Sequence, residues 1–83
     1  MQGQEPEGTA AELCAVVYLN GKVDGHFQMS LDHLHSKCGL SLTAIDAGLA
    51  MGEQRDWVRR SRSAVALKAA GIYVAKGLLA LPR

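Results

Sequence analysis

Apolar positions with helical spacing predict a first helix near the amino terminus. They fall within residues 13–17, and Thr9 followed by Glu12 forms a capping box ahead of them. The helix is therefore expected to begin near Ala10. The Asn-Gly pair at residues 20–21 is expected to end it, because glycine and asparagine tolerate the left-handed conformation that stops a helix.

Two short helices are predicted in the middle of the chain. Residues 30–39, SLDHLHSKCG, place apolar side chains on one face between a capping serine and a glycine that stops the helix. Residues 41–54 repeat this periodicity, with Ser41 or Thr43 as the N-cap. Gly48 costs about 1 kcal/mol inside a helix, so it indicates close packing of another element.

Strand patterns are short and flank these helices. The segment KVDGHFQM contains a turn at its Asp-Gly pair and an extended piece at Phe27, which is expected to be an edge strand. The runs WVRR and AVAL predict a hairpin over residues 57–67, and KAAGIYVAKGLLALPR predicts a closing helix that Pro82 ends. The predicted order is helix-strand-helix-helix-hairpin-helix, a mainly α fold with a small β-hairpin in the α+β class.

Length and composition favour a single soluble domain. The 83 residues are 48% hydrophobic and 20% charged, which is ordinary for a globular protein. Residues 1–8 are expected to be a disordered tail and residues 9–83 one domain with a last helix over about 68–81. No apolar run approaches the ~18 residues of a bilayer span, and the amino terminus lacks the features of a secretory signal. We therefore expect a cytoplasmic protein with no membrane partner.

Charge is distributed unevenly, although the net charge is only +1. Residues 1–56 hold eight acids and three bases, a net charge of −5, whereas residues 57–83 hold six bases and no acid. Three arginines, Arg59, Arg60 and Arg62, cluster in the hairpin. Such asymmetry indicates a localised anionic partner. The alternative is a basic face that is simply solvated.

The stretch LDHLHSKCGLSLTAIDAGLAMGEQRDWVRR resembles the winged helix-turn-helix superfamily. It has two short helices joined by GLS, and the second runs straight into a hairpin. ALKAAG is similar to the strand that leaves the wing and enters a last helix. The resemblance spans about Thr9 to Leu81. It implies that residues 42–55 form a recognition helix in the major groove and that residues 57–67 form a wing along the backbone.

This resemblance implies a DNA-binding transcriptional regulator, expected to be a repressor. The hairpin arginines neutralise phosphates, and lysines on either side add to the footprint. On the third helix, small side chains contact thymine methyl groups and a glutamine reads adenine. The candidate DNA-binding residues are Ser41, Thr43, Ala47, Gln54, Arg55, Arg59, Arg60, Arg62, Lys68 and Lys37.

The outward face of the third helix favours a different function. It carries no arginine, lysine or asparagine before Arg55, and Asp46 repels phosphates unless it meets a cytosine amino group. The alternative is a winged helix protein-interaction subunit or adaptor without sequence-specific DNA binding. Its third and last helices dock on a larger protein partner.

The last helix is apolar on more than one side. From Ala69 to Leu81 its only charged residue is Lys76. A helix that is apolar all round must be covered on both sides, and the small core covers only one. A homodimer is therefore expected, with duplex DNA as the second partner. The expected dimer interface comprises Ile72, Tyr73, Leu78 and Leu79.

Histidine and cysteine side chains do not form a convincing metal site. His33 and His35 point about 200° apart on a helix, so they and Cys38 cannot converge on one tetrahedral ion. Cys14 and Cys38 lie among apolar residues and are expected to be buried free thiols. No nucleophile with a base and an orienting acid is evident. We expect no metal, no cofactor and no enzymatic activity.

Overall fold

The computed structural model describes residues 6–81, which fold into four helices and a four-stranded antiparallel sheet. The α+β class predicted from the sequence is therefore confirmed. In chain order the elements are α1 (Pro6–Asn20), β1 (Lys22–Val23), β2 (His26–Ser30), α2 (Leu31–Cys38), α3 (Leu42–Gln54), β3 (Val58–Arg60), β4 (Ala64–Leu67) and α4 (Ala69–Leu79). The strands lie in the order β1-β2-β4-β3.

The strand around Phe27 is not an edge strand, which corrects the prediction. The strand β2 has a neighbour on each side, because β1 pairs with it on one side and β4 on the other. The strand β1 was missed. It folds back on β2 through Asp24 and Gly25, whose φ angles of 50° and 81° are both positive. A two-residue turn with two positive φ angles joins hairpin strands well, and Asp-Gly is its common sequence.

The first helix starts earlier than the capping pattern predicts. It begins at Pro6, and proline is favoured in a first helical turn because the missing N–H would have no partner there. Thr9 lies inside the helix and is 4% exposed, so the capping box and the start near Ala10 are wrong. Residues 6–8 of the expected tail are helical, and positions 1–5 lie outside the described residues.

Gly21, which follows α1, is needed there because it has no side chain. The helix ends at Asn20 as predicted, but Gly21 does not have a positive φ. A Cβ at Gly21 would lie 2.5 Å from the carbonyl oxygen of Gln28. The amide of Gln28 donates to the carbonyl of Gly21 at 2.8 Å. Gly21 is therefore needed for the close approach of β2 to the end of α1.

The predicted caps of α2 and α3 are confirmed. The Ser30 hydroxyl accepts from the amide of His33 at 3.0 Å, and Gly39 ends α2 with a φ of 71°. Ser41, rather than Thr43, caps α3, since its hydroxyl accepts from the amide three residues later at 3.1 Å. The turn between α2 and α3 is thus determined by local side-chain and glycine chemistry.

The core lies between α1, the inner face of the sheet, α3 and α4. Gly48 faces α1, where a Cβ would lie 2.8 Å from Thr9 Cγ2 and 2.9 Å from Leu13 Cδ1. The close packing predicted from this glycine is confirmed. The buried core residues are Leu13, Cys14, Val17, Met29, Leu34, Ile45, Leu49, Val58, Val65 and Ala75.

The two cysteines differ in burial. Both are free thiols, and Cys14 is fully buried whereas Cys38 is only half-buried at the end of α2. The expectation of two buried thiols is therefore confirmed for Cys14 and only partly met for Cys38. Burial raises the pKa of the Cys14 thiol from its ordinary value of 9.0 to about 11, because a thiolate is poorly solvated in an apolar core.

We expect this shift to make the protein less stable at alkaline pH. The folded-state pKa of Cys14 lies above the unfolded-state value. The free energy of unfolding therefore keeps its full contribution from the neutral thiol below pH 9 and loses it as pH rises towards 11. The loss is about 2 to 3 kcal/mol of unfolding free energy over that range. Urea unfolding of wild type and Cys14→Ala across this range isolates the effect, since other titrating groups are shared. Parallel pH profiles for the two proteins would contradict it.

Candidate nucleic-acid interface

The β3–β4 hairpin is short, and two hydrogen bonds close its turn. The Ser61 amide donates to the Ala64 carbonyl at 2.8 Å, and the Ser61 hydroxyl donates to the same oxygen at 3.3 Å. The carbonyl of Ser63 accepts from the amide of Leu31 at 2.9 Å, which ties the hairpin to the start of α2. Arg62 therefore lies at the tip of a hairpin whose position relative to the helices is well defined.

Arg60 lies across α3 and is already paired. Its guanidinium contacts Asp46 at 2.8 Å and Glu53 at 3.1 Å, two carboxylates that lie two turns apart on α3. The Arg60 side chain is only 26% exposed. This three-residue cluster has a net charge of −1. Arg60 thus joins the hairpin to α3 instead of presenting a free cation.

Two other candidate cations are also paired within the molecule. Arg55 at the end of α3 contacts Glu7 of α1 at 3.1 Å, and Lys68 contacts Asp56. All four side chains are substantially exposed. Exposed pairs of this kind contribute about 0 to 1 kcal/mol, so an external anion competes with them at low cost. These two cations are secondary candidates for phosphate contact.

Arg59 and Arg62 differ from the other hairpin cations. Both are exposed, and neither forms an ion pair with any of residues 6–81. An exposed arginine without an intramolecular partner presents its guanidinium directly to solvent anions. The predicted arginine cluster is therefore divided by the structure into one side chain bound to α3 and two that are available.

The outer face of the sheet extends from Arg59. The registers Arg59↔Ala66 and Gln28↔Ala66 place these three residues in one row across β3, β4 and β2. The neighbouring row contributes Met29 and Val65 to the core on the opposite face. Arg59 and Gln28 are exposed, so this row faces solvent.

A trough of about 1070 Å³ lies along this outer face, and we call it the sheet trough. Its floor is formed by the small side chains of Ala64 and Ala66 on the middle strand β4. None of its lining residues is acidic, and the nearby carboxylate of Asp56 is paired with Lys68. The polar residues along it are His26, Gln28, Arg59, Arg60, Ser61 and Lys68, but the guanidinium of Arg60 lies on the opposite face against α3.

Sequence reasoning missed the contribution of β2 to this surface. Gln28 and His26 were not candidates, because a strand at the edge of the sheet would not place them beside the hairpin. The Asp-Gly turn was the available signal, since it predicts a further strand that displaces β2 from the edge.

The outward face of α3 is neutral or acidic. Thr43, Ala47 and Gln54 are exposed there, as the recognition-helix interpretation requires. The Ser41 hydroxyl is occupied by its capping bond. Leu42 is 67% exposed at the start of the helix and adds an apolar contact point.

Lys37 does not lie with the hairpin cations along the trough. It lines a separate, mainly apolar groove of about 560 Å³ between α1, the turn after α2 and α4, which we call the α1–α4 groove. Leu78, Leu79 and Leu81 line the same groove. Leu78 and Leu79, two of the residues expected at the dimer interface, are therefore partly exposed and line this groove.

The remaining two expected dimer residues also keep exposed surface. Tyr73 projects from α4 and is 80% exposed, whereas Ile72 is half-buried. The face of α4 that packs on the core is formed by Gly71 and Ala75. The apolar character of α4 thus extends beyond the face that this domain covers.

Metal ligation and membrane insertion gain no support from the described part of the chain. Within residues 6–81, no three histidine, cysteine or acidic side chains gather closely enough to bind a metal ion. None of the helices described there has the length and apolar character needed to cross a bilayer.

Comparison with known proteins found no matching protein-family model, curated protein or solved structure.

Proposed function

We propose that this protein is a winged-helix DNA-binding regulator that contacts the phosphates of duplex DNA mainly through its β3–β4 hairpin. The observation that carries the proposal is the pair Arg59 and Arg62, which are exposed and form no ion pair with residues 6–81. Neutralising phosphates with arginine releases counterions and supplies much of the affinity for DNA.

The arrangement of elements supports the winged-helix interpretation. The turn at residues 39–41 joins α2 directly to α3, and the hairpin follows α3 after Trp57. Of the two strands between α1 and α2, β2 pairs with β4 and so connects the hairpin to the helical layer. Arg60 adds a second link between hairpin and α3 through Asp46 and Glu53.

Base reading by α3 is a minor part of the proposal. Thr43 and Ala47 offer small side chains to thymine methyl groups, and Gln54 offers an amide to adenine. The acidic groups on the same face, Asp46 and Glu53, have their charge partly neutralised by Arg60. Affinity is therefore assigned to the hairpin and limited discrimination to α3.

Homodimerisation is a second part of the proposal. The support is α4, which presents Tyr73 to solvent and lines the α1–α4 groove with Leu78 and Leu79. A second copy of the chain covers this apolar surface, and a two-fold dimer presents two hairpins to DNA.

We expect Arg59→Ala/Arg62→Ala to weaken binding to all duplexes about equally. The slope of log affinity against log salt should become shallower by roughly 2, since each phosphate contact contributes about 0.9. Fluorescence anisotropy with random duplex DNA across a salt series measures this slope. Lys22→Ala/Lys76→Ala is the matched control, because it removes two exposed lysines outside the hairpin. Equal slopes for the hairpin variant and wild type would contradict the proposal.

A protein adaptor is the second candidate function, and Leu42 favours it. This leucine is 67% exposed beside the neutral and acidic face of α3. Exposed apolar side chains next to small ones suit a protein contact better than a phosphate contact. Absence of duplex binding by the wild type at low salt would favour this function. Capture of a partner by wild type and loss of it by Leu42→Asp would then identify α3 as the docking face.

A further inference from the structure

Small side chains leave the middle of the sheet's outer face open. Ala66 lies between Gln28 on β2 and Arg59 on β3 in one cross-strand row. Ala64 lies two residues away on the same strand and therefore on the same face. The result is the sheet trough, with longer polar side chains on both sides of an alanine floor.

Charge differs between this trough and α3. The exposed face of α3 carries Asp46 and Glu53, and Arg60 compensates only one of the two charges. The trough has Arg59 on its wall, and none of its lining residues is acidic. A polyanion that approaches the hairpin is therefore attracted towards the trough and repelled by α3.

We propose that one strand of the DNA backbone lies along the sheet trough, with phosphates against Arg59 and Gln28, and that α3 does not enter the major groove. This inference rests on the proposed DNA-binding function. It keeps the β3–β4 hairpin as the principal contact and adds β2 to it. It also replaces the base contacts assigned above to Thr43, Ala47 and Gln54, since α3 then lies away from the DNA.

The dimensions of the trough suit a short backbone segment. From Ala64 to Lys68 the chain advances about 13 Å at roughly 3.3 Å per residue. One DNA strand carries a phosphate for about every 3.4 Å of helix axis, but adjacent phosphates along the strand itself lie roughly 6 to 7 Å apart, so about two or three phosphates fit over this length. Arg62 at the hairpin tip and Lys68 at the other end lie at the two limits of this path.

Two glutamines provide a matched test of the two faces. Gln28 in the trough and Gln54 on α3 are both exposed, and glutamate is nearly isosteric with glutamine. We expect Gln28→Glu to lower affinity for random duplex DNA about five- to ten-fold at low salt, because a carboxylate then faces phosphates. Gln28→Lys should raise affinity by a similar factor and steepen the salt slope by about 1. Gln54→Glu and Gln54→Lys should each change affinity less than about two-fold, since the DNA lies beyond the reach of screened charges on α3.

The possible outcomes separate this inference from the function on which it rests. Strong effects at Gln28 with weak effects at Gln54 support the trough. Strong effects at Gln54, or equal effects at both positions, overturn the trough and leave DNA binding intact. A wild type that binds no duplex at low salt overturns both. Circular dichroism of all four variants verifies that the fold is retained.

Discussion

A Gly71→Ala variant is expected to lose about 3 kcal/mol or more of unfolding free energy. An ideal Cβ at Gly71 would lie 2.0 Å from the carbonyl oxygen of Trp57, far inside contact distance. That carbonyl also accepts from the amide of Lys68 at 2.8 Å, so it cannot rotate away without breaking a hydrogen bond. The start of α4 must shift instead, and overpacking that displaces backbone usually costs about 1 to 3 kcal/mol or more.

Gly77 in the same helix is the matched control. A Cβ there would meet no atom within 4 Å. Gly77→Ala should therefore raise the unfolding free energy by about 0.5 to 1 kcal/mol, because alanine is the better helix former. Urea unfolding of both variants measures the contrast. Similar changes for the two variants would show that the contact between Gly71 and Trp57 does not constrain α4.

This contact also connects α4 to the hairpin. Trp57 immediately precedes β3, and its carbonyl faces the first turn of α4. Lys68, between β4 and α4, bonds through its amide to the same carbonyl. The hairpin and α4 are thus held together at one point of the backbone.

Local chemistry explains which parts of the fold could be predicted. Ser30, Gly39 and Ser41 delimit α2 and α3 through contacts within three residues or through a left-handed φ. Such features depend on neighbours in sequence, so they can be read without knowledge of the tertiary structure. Gly48 was informative for a related reason, because its cost in a helix must be offset by packing.

Tertiary contacts explain where prediction failed. Thr9 and Glu12 have the spacing of a capping box, but Thr9 is buried in α1 against Gly48. Packing between helices therefore outweighed the local capping preference. The interior position of β2 depends on pairing with β4, more than thirty residues later, which no local pattern specifies.

The sequence alone predicted the basic character of the hairpin but not the contacts that its arginines make. The cluster of arginines in the hairpin was evident from the sequence. The partners of Arg60, however, are Asp46 and Glu53 in another element, and only the folded structure brings them together. An ion pair across elements changes a candidate phosphate ligand into a link between hairpin and α3. The same reasoning separates Arg59 and Arg62 as the available cations.

We expect Leu79→Asp to convert a dimeric wild type into a monomer. Leu79 lies in the last turn of α4, is partly exposed and lines the α1–α4 groove. In a monomer an aspartate there remains in contact with water and has little effect. In a dimer it would be buried without a partner in an apolar contact, at a cost of several kcal/mol. Sedimentation velocity across a concentration series measures the change in oligomeric state.

The control for this experiment is an equal charge change on another surface. His33 is exposed on α2 and does not line the α1–α4 groove, so His33→Asp should leave the dimer intact. Retained helical content in both variants would attribute the loss of dimer to the interface and exclude unfolding. A wild type that sediments as a monomer at micromolar concentrations would refute dimerisation through α4. In the function that we propose, a monomer would then contact DNA, and its target would have no two-fold symmetry imposed by the protein.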